Sequence, residues 1–159
     1  MSRTKYVILL IITFMLGWSI NDLSIYITDS QVPLGSGNDI PSPNDWISEQ
    51  QTTILPNYVL LKIPNATAVK YASTKSMDPV LDDTSIGLEI RPDKNKLRVG
   101  DIISYKSDLL GVVIVHRIIS INEDEYGAYY ITKGDNNKVS DVEKVRFEQI
   151  KGVVVGLLY

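Results

Sequence analysis

GVVIVHRIISI, residues 111–121, is an almost unbroken run of β-branched side chains with a histidine and an arginine at its centre. Branched residues fit a pleated, half-buried surface, so the run reads as a strand. Successive side chains in a strand point to opposite faces. One face therefore carries Val112, Ile114, His116 and Ile118, and the other Val113, Val115, Arg117 and Ile119. An imidazole and a guanidinium amid so much hydrocarbon are costly unless each finds a partner. Taken alone, such a histidine reads as a core residue bonded to a backbone carbonyl, with Arg117 in a structural ion pair.

Similar short runs flank this one: Tyr58–Ile63, Ala68–Ala72, Ser85–Ile90, Asp101–Tyr105, Tyr126–Thr132 and Ile150–Leu158. Turn residues separate them, and no long helical pattern intervenes. The spacing predicts a mainly β, twisted antiparallel fold rather than a parallel α/β sheet. Val142–Gln149 is expected to form one short helix.

Composition narrows the chemistry. The 159 residues include no cysteine and one histidine, and the formal net charge is -3. Without cysteine there is no disulfide framework, thiolate nucleophile or Cys-rich zinc site. A single imidazole excludes a clustered-histidine metal site within one chain. The slightly acidic balance gives no support for a nucleic-acid surface.

At the N-terminus Arg3 and Lys5 precede Tyr6–Ile20 (YVILLIITFMLGWSI), which carries no charge, and the apolar pattern resumes from Leu23 to Ile27. Together these reach the roughly 20 residues that a membrane-spanning helix needs. Residues 1–27 are expected to be a cytoplasmic tip and a single transmembrane helix, with basic residues holding the N-terminus inside. A cleavable signal peptide ending near Gly17-Trp18-Ser19 is the rival reading. In both cases the remainder works outside the cytoplasm. Residues 28–57, punctuated by Pro33, Pro41, Pro43 and Pro56, read as a Pro/Gly/Ser-rich linker. Trp46 and Ile47 are candidates for touching the bilayer or the domain. Residues 58–159 form the expected extracytoplasmic domain.

Three further stretches could carry chemistry. In YASTKSMDPVL (71–81) an apolar strand runs into Ser76, and Pro79 restricts Asp78, so a turn can present the Ser76 hydroxyl. The plain alternative is an ordinary turn serine. In KGDNNKVSD (133–141) Gly134 permits positive φ, while Asp135, Asn136 and Asn137 can bond nearby amides; Asp141 is then a helix N-cap. RVGDII (98–103) reads as a turn entering a strand, with Gly100 and Asp101 structural.

In order, Ser-Met-x-Pro, Gly-Asp-x-Ile, Val-His-Arg and Lys-Gly-Asp-Asn-Asn resemble the motifs of type I signal peptidases, in the archaeal and endoplasmic-reticulum branch. The resemblance runs from about Thr74 to the C-terminus, and an N-terminal anchor fits that family. It implies a signal-peptidase-like β-fold and a membrane-anchored serine endopeptidase. Bacterial relatives carry a lysine base at the position of His116. The resemblance implies Ser76 as nucleophile, His116 as general base and Asp141 as orienter of the imidazole, with Asp135 supporting the site or itself the orienter. Thr74 stands where the family often has a serine that helps bind the oxyanion, and Arg117 completes the supporting set. Lys75 is a poor base, because in an extended segment it points away from Ser76.

The implied substrates are exported preproteins bearing signal peptides, with the lipid bilayer and the protein translocation machinery as further partners and no nucleic acid. No metal or organic cofactor is needed. The implied location is the cell membrane or an endoplasmic-reticulum-type membrane. Other readings are a non-catalytic relative acting as a binding or scaffold subunit, a self-cleaving repressor of related fold, and a peptidase for one special class of exported substrate. The intact Ser76–His116–Asp141 set disfavours the first. The anchor and the histidine base disfavour the second.

Overall fold

The computed structural model describes residues 39–159. The expected anchor, residues 1–27, and the start of the expected linker lie outside the described residues. Among those described, no helix is long and apolar enough to cross a membrane.

The domain is built on strands: β1 (Thr52–Ile54), β2 (Val59–Leu61), β3 (Thr67–Lys70), β4 (Ile86–Ile90), β5 (Ile102–Lys106), β6 (Val113–Asp124), β7 (Gly127–Lys133) and β8 (Ile150–Leu158). β1 and β2 pair as a separate two-stranded ribbon; the others form one six-stranded sheet in the order β3-β4-β8-β5-β6-β7. All neighbours are antiparallel. The mainly β, antiparallel class expected from the alternation is therefore what forms. β1 is a strand that the sequence pattern left in the linker.

Alternation gives the large sheet two buried faces. Ile103, Tyr105, Ile118, Tyr130, Val145 and Val153 pack on one side. Met77, Leu81, Ile102 and Val154 pack on the other. Adjacent residues such as Ile102 and Ile103 thus serve different cores, as period two requires. His116 shares the first face with Ile118, and Arg117 points the other way.

Two local expectations change. Val142–Gln149 forms no α-helix, only a 3-10 turn at Phe147–Gln149. Val145 instead exchanges both backbone hydrogen bonds with Tyr130, at 2.8 and 3.0 Å, and is fully buried. Joining the sheet edge and the core outweighs the weak helix preference of a segment with valines at 142 and 145.

The second change concerns residues 39–57, read as part of a spacer with little structure. Trp46 packs against the first core, and its indole Nε1 donates to Asp101 Oδ1 at 2.9 Å. The Asn44 amide donates to the same oxygen at 2.8 Å, and Arg98 N–H donates to Oδ2 at 2.8 Å. Asp101 is fully buried, and these donors satisfy its carboxylate. Gly100 beside it has φ of 104°, and a Cβ there would collide with the Ser42 carbonyl. Gly100-Asp101 is the structural turn that the sequence suggested, and it also seats the arm.

Candidate active site

Ser76 lies on the turn after β3. Its predecessor Lys75 has φ of 60°, a left-handed conformation that costs a non-glycine residue about 1 kcal/mol or more. Asn136 holds this turn from across the domain: its side-chain amide donates to the Lys75 carbonyl and its N–H to the Ser76 carbonyl, both at 2.9 Å. Met77 anchors the turn below, buried against the second core. Ser76 is thereby half-buried beside a rigid segment instead of waving on a loop tip.

His116 projects from β6 and is buried. Its Nε2 lies 3.1 Å from Ser76 Oγ, and its Nδ1 lies 2.7 Å from Asp141 Oδ2. A carboxylate only accepts, so with Asp141 ionised the Nδ1 carries the proton and Nε2 is left as the acceptor for the Ser76 hydroxyl. Burial pushes the Asp141 carboxyl up, but hydrogen bonds from His116 and Thr132 outweigh it and hold the group below the usual carboxylate range.

Asp135 does not touch His116. It takes two parallel hydrogen bonds from Arg117, Nε to Oδ1 at 2.8 Å and Nη2 to Oδ2 at 2.6 Å. Both side chains are nearly inaccessible, at 5% and 3%. Arg117 Nη1 also donates to the Gly100 and Pro41 carbonyls, at 2.8 and 3.2 Å. Arg117 therefore ties the arm, the β5 entry and the 134–137 loop together. Of the two aspartates offered as partner for the imidazole, Asp141 makes the contact.

Thr74 Oγ1 lies 3.0 Å from Ser76 Oγ and 3.5 Å from the Ser76 amide nitrogen. Hydroxyl and amide thus sit beside the serine oxygen. Lys75 is exposed on the turn. Gly134 corrects a local reading: its φ is not positive, and its backbone instead runs so close to the site that a Cβ would meet Ser76 O at 2.5 Å and His116 Nε2 at 2.9 Å.

Ser76 and His116 border a cleft of about 300 Å³ lined by Tyr71, Met77, Leu81, Leu110, Val113 and Val115. Residues 113–116 of β6 pair with β5 on one edge, whereas β7 begins only opposite Arg117. Their other edge is free of any described strand and faces the cleft. Among the described residues no cluster of three or more acidic, His or Cys side chains could hold a metal.

Tyr105 and Thr132, both fully buried, were missed by the sequence reading. Their signal was faint: each is a hydroxyl in phase with the apolar residues of its strand. Chemically the arrangement is an oriented imidazole next to a serine hydroxyl, with hydrogen-bond donors beside it and an apolar cleft in front.

The chain is similar to proteins named signal peptidase complex catalytic subunit. It is 46% identical over 56 residues to the sec11 subunit of Dictyostelium discoideum, covering 35% of this chain and 31% of the relative. With the sec11 subunit of Schizosaccharomyces pombe it shares 46% over 44 residues, or 28% and 23% of the two chains. With the SEC11 subunit of Candida tropicalis it shares 36% over 67 residues, or 42% and 40%. The matched stretch spans less than half the length of each of these relatives. No protein-family model matches the chain. The resemblance to the endoplasmic-reticulum branch of type I signal peptidases is borne out by these relatives.

Proposed function

We propose that the chain is a membrane-anchored serine endopeptidase that removes N-terminal signal peptides from exported preproteins. The observation that carries this reading is the continuous Ser76–His116–Asp141 hydrogen-bond chain at the edge of an apolar cleft, at 3.1 and 2.7 Å. The similarity to signal peptidase subunits supports signal peptides as the substrate class.

The substrate lies extended in the cleft, its backbone pairing with the free edge of residues 113–116. The apolar lining receives small side chains before the scissile bond. His116 Nε2 takes the proton as Ser76 Oγ attacks the carbonyl carbon, and Asp141 stabilises the imidazolium that results. The Ser76 N–H and the Thr74 hydroxyl, whose oxygen lies 3.0 Å from Ser76 Oγ in the resting site, turn toward the developing oxyanion; one such donor contributes about 10²–10³ in rate. His116 then hands its proton to the leaving amine. A water molecule, deprotonated by the same nitrogen, releases the acyl group and restores Ser76.

The proposal extends to organisation. Residues 1–27 hold the chain in the membrane with the N-terminus cytoplasmic, and residues 39–159, with Trp46 packed against the first core, carry the peptidase on the outer side. Exposed apolar side chains on β1 and β2 (Ile54, Val59, Leu60) and at the β5–β6 connection (Leu109, Leu110) suit work close to a bilayer. The translocation machinery is the natural source of substrate.

The test is preprotein cleavage in membranes by wild type beside Ser76→Ala and His116→Ala. Loss of cleavage by both variants, with the fold retained, is expected. Normal processing by either removes the catalytic assignment, and an inactive wild type favours the scaffold reading. Mass spectrometry of the native N-terminus tests the anchor: a chain beginning near Ile20 identifies a cleaved signal instead.

A further inference from the structure

Three adjacent strands present polar groups on one face of the large sheet. Tyr105 comes from β5, His116 from β6 and Thr132 from β7, all in phase with the first core. Asp141, on the loop that passes over this face, receives all three on one oxygen. His116 Nδ1 lies 2.7 Å from Oδ2, Thr132 Oγ1 donates to it at 2.6 Å, and Tyr105 OH donates to it at 3.3 Å. The two hydroxyls are also 3.2 Å from each other. The Thr132 carbonyl accepts from the Asp141 amide at 2.8 Å, so the same residue grips both backbone and carboxylate.

We propose that Thr132 and Tyr105 are positioning residues for His116: their hydroxyls hold Asp141 Oδ2 on the Nδ1 proton of the imidazole. The inference rests on the peptidase reading of Ser76, His116 and Asp141. The physical need is specific. The loop carrying Asp141 is no helix and no regular strand, and the Thr132 carbonyl holds its N–H but not its carboxylate. Asp141 is only partly buried, and its carboxylate is free to rotate toward water unless donors inside the domain retain it. Two buried hydroxyls on rigid strands supply them. They also donate more strongly to the ionised form than to the acid, which disfavours transfer of the imidazolium proton to the aspartate.

A merely structural role predicts different behaviour. If the two hydroxyls, 3.2 Å apart, instead bond to each other, only one proton is left for Asp141, and losing either hydroxyl alters packing rather than the imidazole. Replacing Thr132 by valine keeps the branched shape and removes the donor.

The experiment uses the full chain in detergent micelles. The chain has one histidine, so a downfield imidazole Nδ1 proton signal in the NMR spectrum belongs to His116 without assignment work. For Thr132→Val the expectation is an upfield shift or loss of that signal, together with a kcat lower by about ten- to a hundredfold, as for a hydrogen bond to a charged group. KM stays close to wild type, because neither hydroxyl lines the cleft. Thr132→Ser restores both readouts. Tyr105→Phe gives the same pattern at smaller size, in keeping with its longer contact, and serves if the valine variant does not fold. An unchanged signal and kcat in both Thr132→Val and Tyr105→Phe overturns the proposal. So does a Thr132→Ser variant as impaired as Thr132→Val, which assigns the loss to packing. If wild type cleaves no preprotein but its imidazole signal responds to Thr132→Val, the positioning stands and the peptidase reading fails.

Discussion

Gly134→Ala is the sharpest test of the site's geometry, because the substitution adds a single methyl group. Gly134 needs no unusual φ, so alanine meets no backbone strain there. Reducing the freedom of the unfolded chain even gives a gain of about 0.4–1 kcal/mol. The whole penalty is therefore steric. The new Cβ would stand 2.5 Å from the Ser76 carbonyl oxygen, 2.8 Å from Asn137 Nδ2 and 2.9 Å from His116 Nε2, where ordinary contact begins at 3.4 Å. Ser76 O must therefore retreat by 3.4 − 2.5 = 0.9 Å, Asn137 Nδ2 by 3.4 − 2.8 = 0.6 Å and His116 Nε2 by 3.4 − 2.9 = 0.5 Å, or the loop itself must move by a comparable amount.

None of these is cheap. The Ser76 carbonyl is held by the Asn136 amide at 2.9 Å, and the imidazole by Asp141 at 2.7 Å. Overpacking of this kind costs about 1–3 kcal/mol of stability. The Ser76–His116 contact, 3.1 Å now, passes the limit of a useful hydrogen bond on moving about 0.5 Å. A misplacement approaching 1 Å costs about a hundredfold in rate. The expected result is a folded protein with kcat reduced by about two orders of magnitude. Gly127→Ala is the matched control: Gly127 has φ of 96° but open space around it, so alanine there lowers stability and spares activity. The assay is preprotein cleavage alongside thermal unfolding for both variants. A Gly134→Ala enzyme with at least half of wild-type activity would refute the reasoning.

The remaining predictions concern the two aspartates of the loop after β7, Asp135 and Asp141. Asp135→Asn strips the charge from the ion pair with Arg117, whose side chain is 5% exposed, and is expected to destabilise the domain by about 3–5 kcal/mol in chemical denaturation; a loss under about 1 kcal/mol would show that Arg117 finds other acceptors. Asp141 titrates in the opposite sense from a raised group: its folded carboxyl lies below the unfolded value, so its contribution is present above the ordinary carboxylate range and is lost as pH falls through the folded value. The melting temperature of wild type should therefore decline more steeply on acidification than that of Asp141→Asn, and parallel declines would contradict the assigned shift.

Much of the architecture was legible in the strands themselves. Period-two alternation in Gly111–Ile121 puts His116 and Arg117 on opposite faces, and the sheet has them there because a strand allows no other outcome. Ile150–Leu158 was read to its residue limits. Where the reading slipped, the deciding contact was distant. Val142–Gln149 carries no local sign that Val145 will pair with Tyr130. The arm at 41–46 looks like spacer because Pro, Asn and Ser are what a spacer contains. Its partners, Asp101 and Arg117, lie 55 to 76 positions further along the chain.

The site divides in the same way. Sequence by itself named a serine, the only imidazole and two aspartates, since side-chain chemistry and motif order are carried in the chain. It favoured Asp141 over Asp135 only by motif resemblance: both follow one strand in one loop, and spacing along a loop does not give a distance across it. Packing decided, by giving Asp135 to Arg117 and turning Asp141 toward His116. Gly134 makes the point most simply. Its identity suggested backbone freedom, but only the folded chain, with Ser76 and His116 brought against it, reveals that the requirement is space.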